Sequence, residues 1–211
     1  KEIGTVEFRN VDFRYPDSAE NQLKDISFKV KKGDVIAFIG STGCGKTTLI
    51  SLMARLFDVQ SGEVLIDGQN IKDYSFEGLY NKIGYITQKP VIFSGTIREN
   101  IDFGMCKNGV NDEDINNALA ISEAKEFVDK RAEGVEYHIA QAGKNLSGGQ
   151  KQRLSISRAI ARKPEILIFD DSFSALDYKT DAKVRANLSR ELKGATCIIV
   201  AQRISTIKNA D

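Results

Sequence analysis

Residues 40–47 of this chain read Gly40-Ser41-Thr42-Gly43-Cys44-Gly45-Lys46-Thr47, which satisfies the pattern G-x-x-x-x-G-K-[ST]. A continuous apolar run, Val35–Ile39, precedes this loop and is typical of parallel strands buried on both faces. Apolar residues at helical spacing follow the loop over residues 46–57. Strand, glycine-rich loop and helix form half of a βαβ unit, so an α/β fold with a parallel sheet is predicted.

The residue types in this loop predict a phosphate site. Glycines let the loop curl so that backbone N–H groups face inward and surround an anion. Lys46 would reach the β- and γ-phosphates, Thr47 would offer a hydroxyl to Mg²⁺, and the following helix would add its dipole. An ordinary glycine turn is the alternative, but the strand before and the helix after favour a site for a nucleoside triphosphate and Mg²⁺.

Composition narrows the class of protein. The 211 residues are 41% hydrophobic and 28% charged with a net charge of +1, so there is no electrostatic case for nucleic acid as a partner. No apolar run approaches the roughly 18 residues of a membrane-spanning helix. Cys44, Cys106 and Cys197 match neither a disulfide framework nor a metal-ligand pattern, which indicates a reducing environment. The ends, without an initiator Met, indicate a fragment with an incomplete C-terminus.

The rest of the chain divides by its periodicity. The first third alternates β-rich runs with turn signals. Strands are expected at 166–169 and 196–200, and helices within 112–130, from 148 to about 161, and over 178–192. We therefore expect one domain, with 1–87 and 162–211 forming a β-rich nucleotide-binding core and about 88–161 forming an inserted helical part.

Asp170 ends the apolar run at 166–169 and therefore lies where a parallel strand delivers its side chain to the carboxyl edge of the sheet. A carboxylate there can hold Mg²⁺ through its water shell. Apolar strands that end in Asp are also common turn starts, so the phosphate loop upstream is what favours the metal role.

A second glycine-rich segment lies about a hundred residues after the phosphate loop and reads Leu146-Ser147-Gly148-Gly149-Gln150. Ser147 and Gln150 have the spacing of a capping box that begins a helix. The two glycines between them leave backbone N–H groups uncovered at the positive end of the helix dipole. Such a helix start suits a terminal phosphate.

With Lys151-Gln152-Arg153 after this segment, the chain resembles the ATP-binding cassette (ABC) ATPases from about Val6 to Asp211. The resemblance implies a P-loop NTPase (RecA-like) parallel-sheet core, an N-terminal antiparallel β subdomain and an inserted α-helical subdomain. Leu146–Gln150 resembles the family's signature sequence. ATP and Mg²⁺ are the implied cofactors.

Further site residues are implied by this resemblance. Tyr15 matches the aromatic that stacks on adenine, and Gln88 matches the Q-loop glutamine that senses Mg²⁺ and water. Residues 174–177, Ser-Ala-Leu-Asp, resemble the D-loop at the dimer interface, whereas His138 lies outside the motifs and is expected on the surface. The expected nucleotide-binding residues are Tyr15, Gly40, Ser41, Thr42, Gly43, Cys44, Gly45, Lys46, Thr47, Thr48, Ser147, Gly148, Gly149 and Gln150, the metal-binding ones Thr47, Gln88 and Asp170, and the catalytic ones Lys46, Gln88, Asp171 and Gln202.

Two catalytic positions depart from the family. Asp171 stands where the family usually has the Glu that orients or deprotonates water, and Gln202 stands where it has the switch His. A carboxylate displaced by about 1 Å can cost on the order of 10²-fold in rate. Gln can donate a hydrogen bond to the γ-phosphate but cannot carry a proton. Both changes predict slow hydrolysis with binding retained.

The family works as a head-to-tail dimer in which each ATP lies between one phosphate loop and the other chain's signature. The resemblance therefore implies a heterodimer: this chain's own site is slow, and its signature completes the competent site of a second ABC nucleotide-binding domain. A homodimer with two slow sites is the alternative.

Residues 92–101, Ile-Phe-Ser-Gly-Thr-Ile-Arg-Glu-Asn-Ile, resemble exporter cassettes. This implies coupling helices of a transmembrane domain as partners and a place at the cytoplasmic face of the membrane. Gln141 stands where exporters often have an acidic residue. A soluble ABC protein outside transport is the remaining alternative.

Overall fold

The computed structural model describes residues 3–41, 43–104 and 109–201. In chain order its strands and helices are β1 (Val6–Phe13), β2 (Leu23–Val30), β3 (Val35–Ile39), α1 (Lys46–Met53), β4 (Ser61–Ile66), β5 (Gln69–Asn70), α2 (Phe76–Lys82), β6 (Ile83–Ile86), β7 (Gly95–Thr96), α3 (Ile97–Asp102), α4 (Asp112–Ile121), α5 (Lys125–Val128), β8 (His138–Ile139), α6 (Gly148–Ala161), β9 (Ile166–Asp170), α7 (Tyr178–Glu191) and β10 (Thr196–Ala201).

The chain divides into two compact units. The first consists of Lys1–Tyr85, Glu165–Asp170 and Gly194–Asp211, and the second of Ile86–Pro164 and Asp171–Lys193. The helical part expected at about 88–161 lies within the second unit, which also includes α7.

A parallel sheet in the order β3-β10-β9-β6 carries the phosphate loop in the first unit. β10 pairs in parallel with β3 on one side and with β9 on the other. Ile166 to Phe169 of β9 are buried, as expected for a strand inside such a sheet. β3 differs from the expectation of burial on both faces, because it is the end strand among the described ones: its first four residues are half-buried and Ile39 is 46% exposed.

An antiparallel sheet in the order β2-β1-β4-β5 forms the other part of the first unit. Along β1, Val6, Phe8, Val11 and Phe13 are buried and contribute to the core of the unit. The fold class is thereby confirmed, including the antiparallel N-terminal sheet beside the parallel core.

Helix α1 is shorter than the apolar spacing predicted. It begins at Lys46 but ends at Met53, four residues before Phe57. Arg55 has a left-handed backbone with φ of 51°, which ends the helix, and Leu56 after it is 53% exposed. The apolar spacing beyond Met53 therefore belongs to a surface segment and not to the helix.

The second unit is mostly helical, with α6 packed against α3 and α4. The helices expected from residue 148 to about 161 and over 178–192 correspond to α6 and α7, and the segment 112–130 contains α4 and α5. Helix α3 begins with a capping box between Thr96 and Glu99. Within 3–41, 43–104 and 109–201, every helix is too short or too polar to cross a membrane.

Candidate functional site

The phosphate loop joins β3 to α1 and depends on two left-handed glycines. Gly43 has φ of 85° and Gly45, the residue that caps α1, has φ of 97°. A β-carbon on Gly45 would lie 2.9 Å from Cδ2 of Leu23. Any other residue at position 45 would be strained by its left-handed backbone and would have to displace the side chain of Leu23, so glycine is favoured here.

Lys46 lies folded over this loop. Its ammonium donates to the carbonyl oxygens of Gly40 at 2.5 Å and Ser41 at 2.7 Å, and it lies 3.4 Å from Sγ of Cys44. A β-carbon on Gly40 would lie 2.5 Å from that sulfur, so a side chain at position 40 would have to displace the exposed side chain of Cys44. Lys46 thus holds a positive charge at the N-terminal end of α1, where an anion is favoured.

Gln22 supports the loop from the connection between β1 and β2. Its Nε2 donates to the carbonyl oxygen of Gly43 over 2.9 Å. Sequence reasoning missed this contact, because a single Gln among polar residues carries no local signal.

Tyr15 is held in a fixed orientation. Its ring meets Phe13 and Phe57 edge-on, at centroid distances of 4.9 and 5.2 Å. Its hydroxyl shares a hydrogen bond of 2.9 Å with Oγ1 of Thr48, which is buried. The side chain of Thr48 therefore anchors Tyr15 in this structure. A half-buried tyrosine supported in this way offers a rigid aromatic surface to a flat ligand.

Asp170 ends β9 at the carboxyl edge of the parallel sheet, where it is half-buried. The hydroxyl of Tyr85 donates to its Oδ2 over 3.4 Å. Burial, and then the negative charge of Asp170, raise the pKa of Tyr85, so this hydroxyl stays protonated and remains a donor. Asp170 and the exposed Thr47 supply a carboxylate and a hydroxyl, the hard oxygen donors that suit Mg²⁺ shared with phosphates and water. The residues present therefore fit the ion.

Asp171 begins the next segment, in the second unit, and its backbone is left-handed with φ of 45°. Nε2 of Gln88 donates to its Oδ2 over 3.3 Å. Oγ of Ser174 donates to its carbonyl oxygen over 3.0 Å and closes the turn. The structure thus brings two of the expected catalytic residues, Gln88 and Asp171, into direct contact.

The signature segment is a helix start with an open surface. Oγ of Ser147 accepts from the N–H of Gln150 at 3.2 Å, and Oε1 of Gln150 accepts from the N–H of Ser147 at 3.0 Å, so the capping box is confirmed. Gly148 and Gly149 follow as the first helical residues. A β-carbon on Gly148 would meet no described atom within 4 Å, and one on Gly149 would make ordinary contact with Ala175 at 3.5 Å. Neither glycine is required by the fold of the described residues.

The segment 174–177 leads into α7. Asp177 caps this helix, accepting from the N–H of Thr180 at 3.0 Å and from its hydroxyl at 2.7 Å. These hydrogen bonds, the hydroxyl one first, lower the pKa of the exposed Asp177. Since Ala175 lies beside Gly149, the expected D-loop and the signature helix start are neighbours within the second unit.

The remaining expected residues are placed as follows. Thr42 and Gln202 lie outside the described residues. Ser41, Cys44 and His138 are exposed, and Gln141 is exposed at the start of a short 3-10 turn.

Comparison with known proteins finds the same family in three ways. The family model described as ABC transporter matches residues 23–174. Multidrug resistance protein 1 of Entamoeba histolytica is 44% identical over 210 residues, and ABC transporter B family member 21 of Arabidopsis thaliana is 40% identical over 209; each match covers 99% of this chain and 16% of the relative. The solved structure of a bacterial Atm1-family ABC exporter with ATP bound superposes with a TM-score of 0.92 at 33% identity, covering 99% of this chain and 36% of that one. The chain thus spans about a sixth to about a third of these relatives.

Proposed function

Since the chain belongs to the ABC transporter family, we propose that it is the nucleotide-binding domain of an exporter, which binds Mg·ATP and hydrolyses it to drive transport. Two observations together carry this proposal. The phosphate loop needs glycines at its left-handed positions, and the helix that begins after Ser147 has two glycines that the fold does not require. Binding of a phosphate group by backbone N–H groups at a helix N-terminus accounts for the glycines in both segments.

In the proposed binding step, adenine stacks on the ring of Tyr15, which its contacts with Phe13, Phe57 and Thr48 hold in place. The phosphates lie against the backbone N–H groups of the loop and the N-terminus of α1. Lys46 then exchanges hydrogen bonds to Gly40 and Ser41 for charge-assisted bonds to phosphate oxygens.

Thr47, Asp170 and Gln88 would hold Mg²⁺, which neutralises charge on the phosphates when it is bound. Tyr85 keeps the carboxylate of Asp170 oriented by donating to its Oδ2.

For hydrolysis, Asp171 would orient the attacking water and accept its proton. Its carboxylate is one methylene shorter than that of Glu, and in this structure it accepts a hydrogen bond from Gln88. With Gln202 replacing the switch His, these features support slow turnover at the chain's own site.

The signature would complete the ATP site of a second nucleotide-binding domain. Uncovered N–H groups at Gly148 and Gly149 can bind the terminal phosphate held by the partner's loop. We therefore propose a heterodimer in which this chain contributes its signature to the faster site, and in which ATP-driven closure of the dimer powers transport.

An exposed apolar patch supports a transmembrane domain as a second partner. We define it by Val91, Phe93 and Phe103, which are 56%, 39% and 54% exposed. Phe93 and Phe103 pack at 4.3 Å between centroids, and Arg158 lies over both rings. Helices that couple this domain to a membrane domain would dock here, which would place the chain at the cytoplasmic face of the membrane.

The decisive experiment compares the full-length protein alone, its candidate partner alone and the mixture. We expect ATP turnover of the mixture to exceed the sum of the separate proteins. Lys46→Ala in this chain should remove ATP binding at its own loop while leaving most of the mixture's turnover, because the faster site uses the partner's loop. Turnover of the mixture equal to that sum would refute the heterodimer.

A double variant, Asp171→Glu with Gln202→His, separates the heterodimer from a homodimer whose two equal sites are competent with Asp171 and Gln202. It should create a second fast site in a heterodimer and add little to a homodimer that is already competent.

A further inference from the structure

Gln152 is a buried side chain in which only one of the two polar atoms of the amide has a hydrogen-bond partner among the described residues. It lies on α6, two residues after the signature, and is 0% exposed. Its Nε2 makes a long hydrogen bond of 3.4 Å to the carbonyl oxygen of Thr87, while its Oε1 has no hydrogen-bond partner among the described residues.

The orientation of this amide follows from its one partner. If the amide were reversed, Oε1 would face the carbonyl oxygen of Thr87, and two acceptors would oppose each other without a proton between them. The nitrogen therefore faces Thr87, and the buried oxygen is the atom left without a partner among the described residues.

The contact reaches the segment that carries Gln88. In this segment the carbonyl oxygen of Ile86 accepts from Oγ of Ser172 at 2.7 Å, that of Thr87 accepts from Gln152, and Gln88 donates to Asp171. Three successive residues are thus each held from elsewhere in the second unit. Gln152 is the member of this set that comes from the signature helix.

Stability alone does not account for a glutamine at this position. A buried acceptor without a partner lowers stability, whereas an apolar side chain of similar length would fill the same space without that cost. What the glutamine provides is the hydrogen bond to Thr87, which directly precedes Gln88.

We propose that Gln152 is a positioning residue that links the signature helix to Gln88 and Asp171, so that a phosphate bound at the N-terminus of α6 affects the placement of Gln88. This inference rests on the proposed ATP hydrolysis. Gln152 does not touch the nucleotide; it acts through the backbone of Thr87.

The test uses the full-length protein with Gln152→Met, which keeps the length of the side chain and removes both polar atoms, and with Gln152→Leu as a second variant. Ser157→Ala is the matched control, because Ser157 is also fully buried on α6 but its hydroxyl bonds Ser122 and not the Gln88 segment. Amide hydrogen exchange of residues 84–90, kcat, the ATP dissociation constant and Tm are measured for each.

We expect Gln152→Met to speed exchange at 84–90 and to lower kcat, each by about 2- to 10-fold, the equivalent of one net hydrogen bond. ATP binding should change less than about 2-fold and Tm should stay equal or rise. Ser157→Ala should lower Tm without either effect. Gln152 variants with wild-type exchange and kcat, or a control that reproduces their effects, would overturn the inference.

Failure of the proposed function would give a different result, because the unmodified protein would then show no ATP turnover. In that case exchange at residues 84–90 still decides whether Gln152 positions the segment.

Discussion

Gln88 and Asp171, 83 residues apart in the chain, are joined by a hydrogen bond of 3.3 Å from Nε2 to Oδ2. The backbone of Asp171 is left-handed, so both the turn and the amide of Gln88 set the direction of its carboxylate. Asp and Asn adopt this conformation more readily than most residues. The shorter acid at this position is therefore compatible with the local backbone, although it retracts the carboxylate.

Asp171→Asn distinguishes the catalytic role of the carboxylate from the contribution of this residue to the left-handed turn. Because Asn tolerates the left-handed turn, the free energy of unfolding should change by less than about 0.5 kcal/mol. ATP turnover at this chain's own site, measured with the full-length protein without its partner, should fall by about 10²-fold, since the amide cannot accept a proton. Denaturant titration and phosphate release measure the two effects. Asp171→Val, which also resists the turn, should in addition lose about 1–2 kcal/mol of stability. An Asn variant with full turnover would contradict the proposed role.

The two signature glycines should matter for turnover and not for stability. Gly148→Ala and Gly149→Ala should each leave the free energy of unfolding unchanged or raise it by up to about 1 kcal/mol, because Ala favours helix and a β-carbon would meet no described atom at Gly148 and only ordinary contacts at Gly149. Turnover of the assembled transporter should nevertheless fall, since methyl groups would cover the N–H groups that meet phosphate. Gly45→Ala is the contrast and should destabilise the chain and weaken its own ATP binding. Signature variants that unfold more easily than the unmodified protein would argue against this account.

The ring of Tyr15 should matter more for ATP binding than its hydroxyl. Tyr15→Ala should raise the ATP dissociation constant about 10-fold or more, as expected for loss of stacking on a base. Tyr15→Phe keeps the ring and loses only the bond to Thr48, so its affinity should stay within about 3-fold. Tyr80→Ala, which removes a tyrosine stacked on Phe76, serves as a control for general damage to the unit. Equilibrium binding of a fluorescent ATP analogue checks all three variants.

Cys197 should make stability fall at high pH. Burial raises the pKa of its thiol from 9.0 to about 11 in the folded protein. Between these values the unfolded chain has lost the proton while the folded chain retains it, so stability decreases as the pH rises from about 9 to about 11. At about 1.4 kcal/mol per pKa unit, and with the folded thiol half ionised at pH 11, the loss between pH 8 and pH 11 is about 2 kcal/mol. Denaturant titrations at pH 8 and pH 11 give the loss of unfolding free energy between these two pH values. We expect this loss to be smaller in Cys197→Ala than in the unmodified protein, by the contribution of Cys197. Equal pH dependence in the two proteins would exclude Cys197 as its source.

Arg158 should stabilise the segment that presents the apolar patch. It donates to the carbonyl oxygens of Asn100 at 2.6 Å and Val91 at 2.8 Å, and to Oδ1 of Asn100 at 3.0 Å. Burial, and then the charge of Arg162, lower its pKa to about 10, so it remains charged at neutral pH. Arg158→Lys cannot reach all three acceptors and should lower the free energy of unfolding by about 2–3 kcal/mol. Arg190→Lys, at an exposed position, should change it by less than about 0.5 kcal/mol, measured by the same denaturant titration.

Much of the fold and of the site was predictable from sequence. The phosphate loop, the strand that ends in Asp170 and the helix starting after Ser147 were all expected at their observed places. The length of α1 was not predicted, because apolar spacing continues past Met53 while the left-handed Arg55 ends the helix. The partial burial of β3 was also not predicted, because the sequence of a strand does not determine whether the strand lies at the end or in the middle of its sheet.

Sequence alone determined the parts whose physics is local: glycines that allow a tight loop, a serine and a glutamine that cap a helix, and an apolar run that makes a strand. Only the tertiary structure decided how those parts are supported. Gln22 contacts Gly43 across 21 positions, Gln152 contacts Thr87 across 65, and Tyr85 contacts Asp170 across 85. A single polar residue gives no sequence pattern that identifies a distant partner. These contacts can therefore be identified only from the tertiary structure, which brings donor and acceptor together.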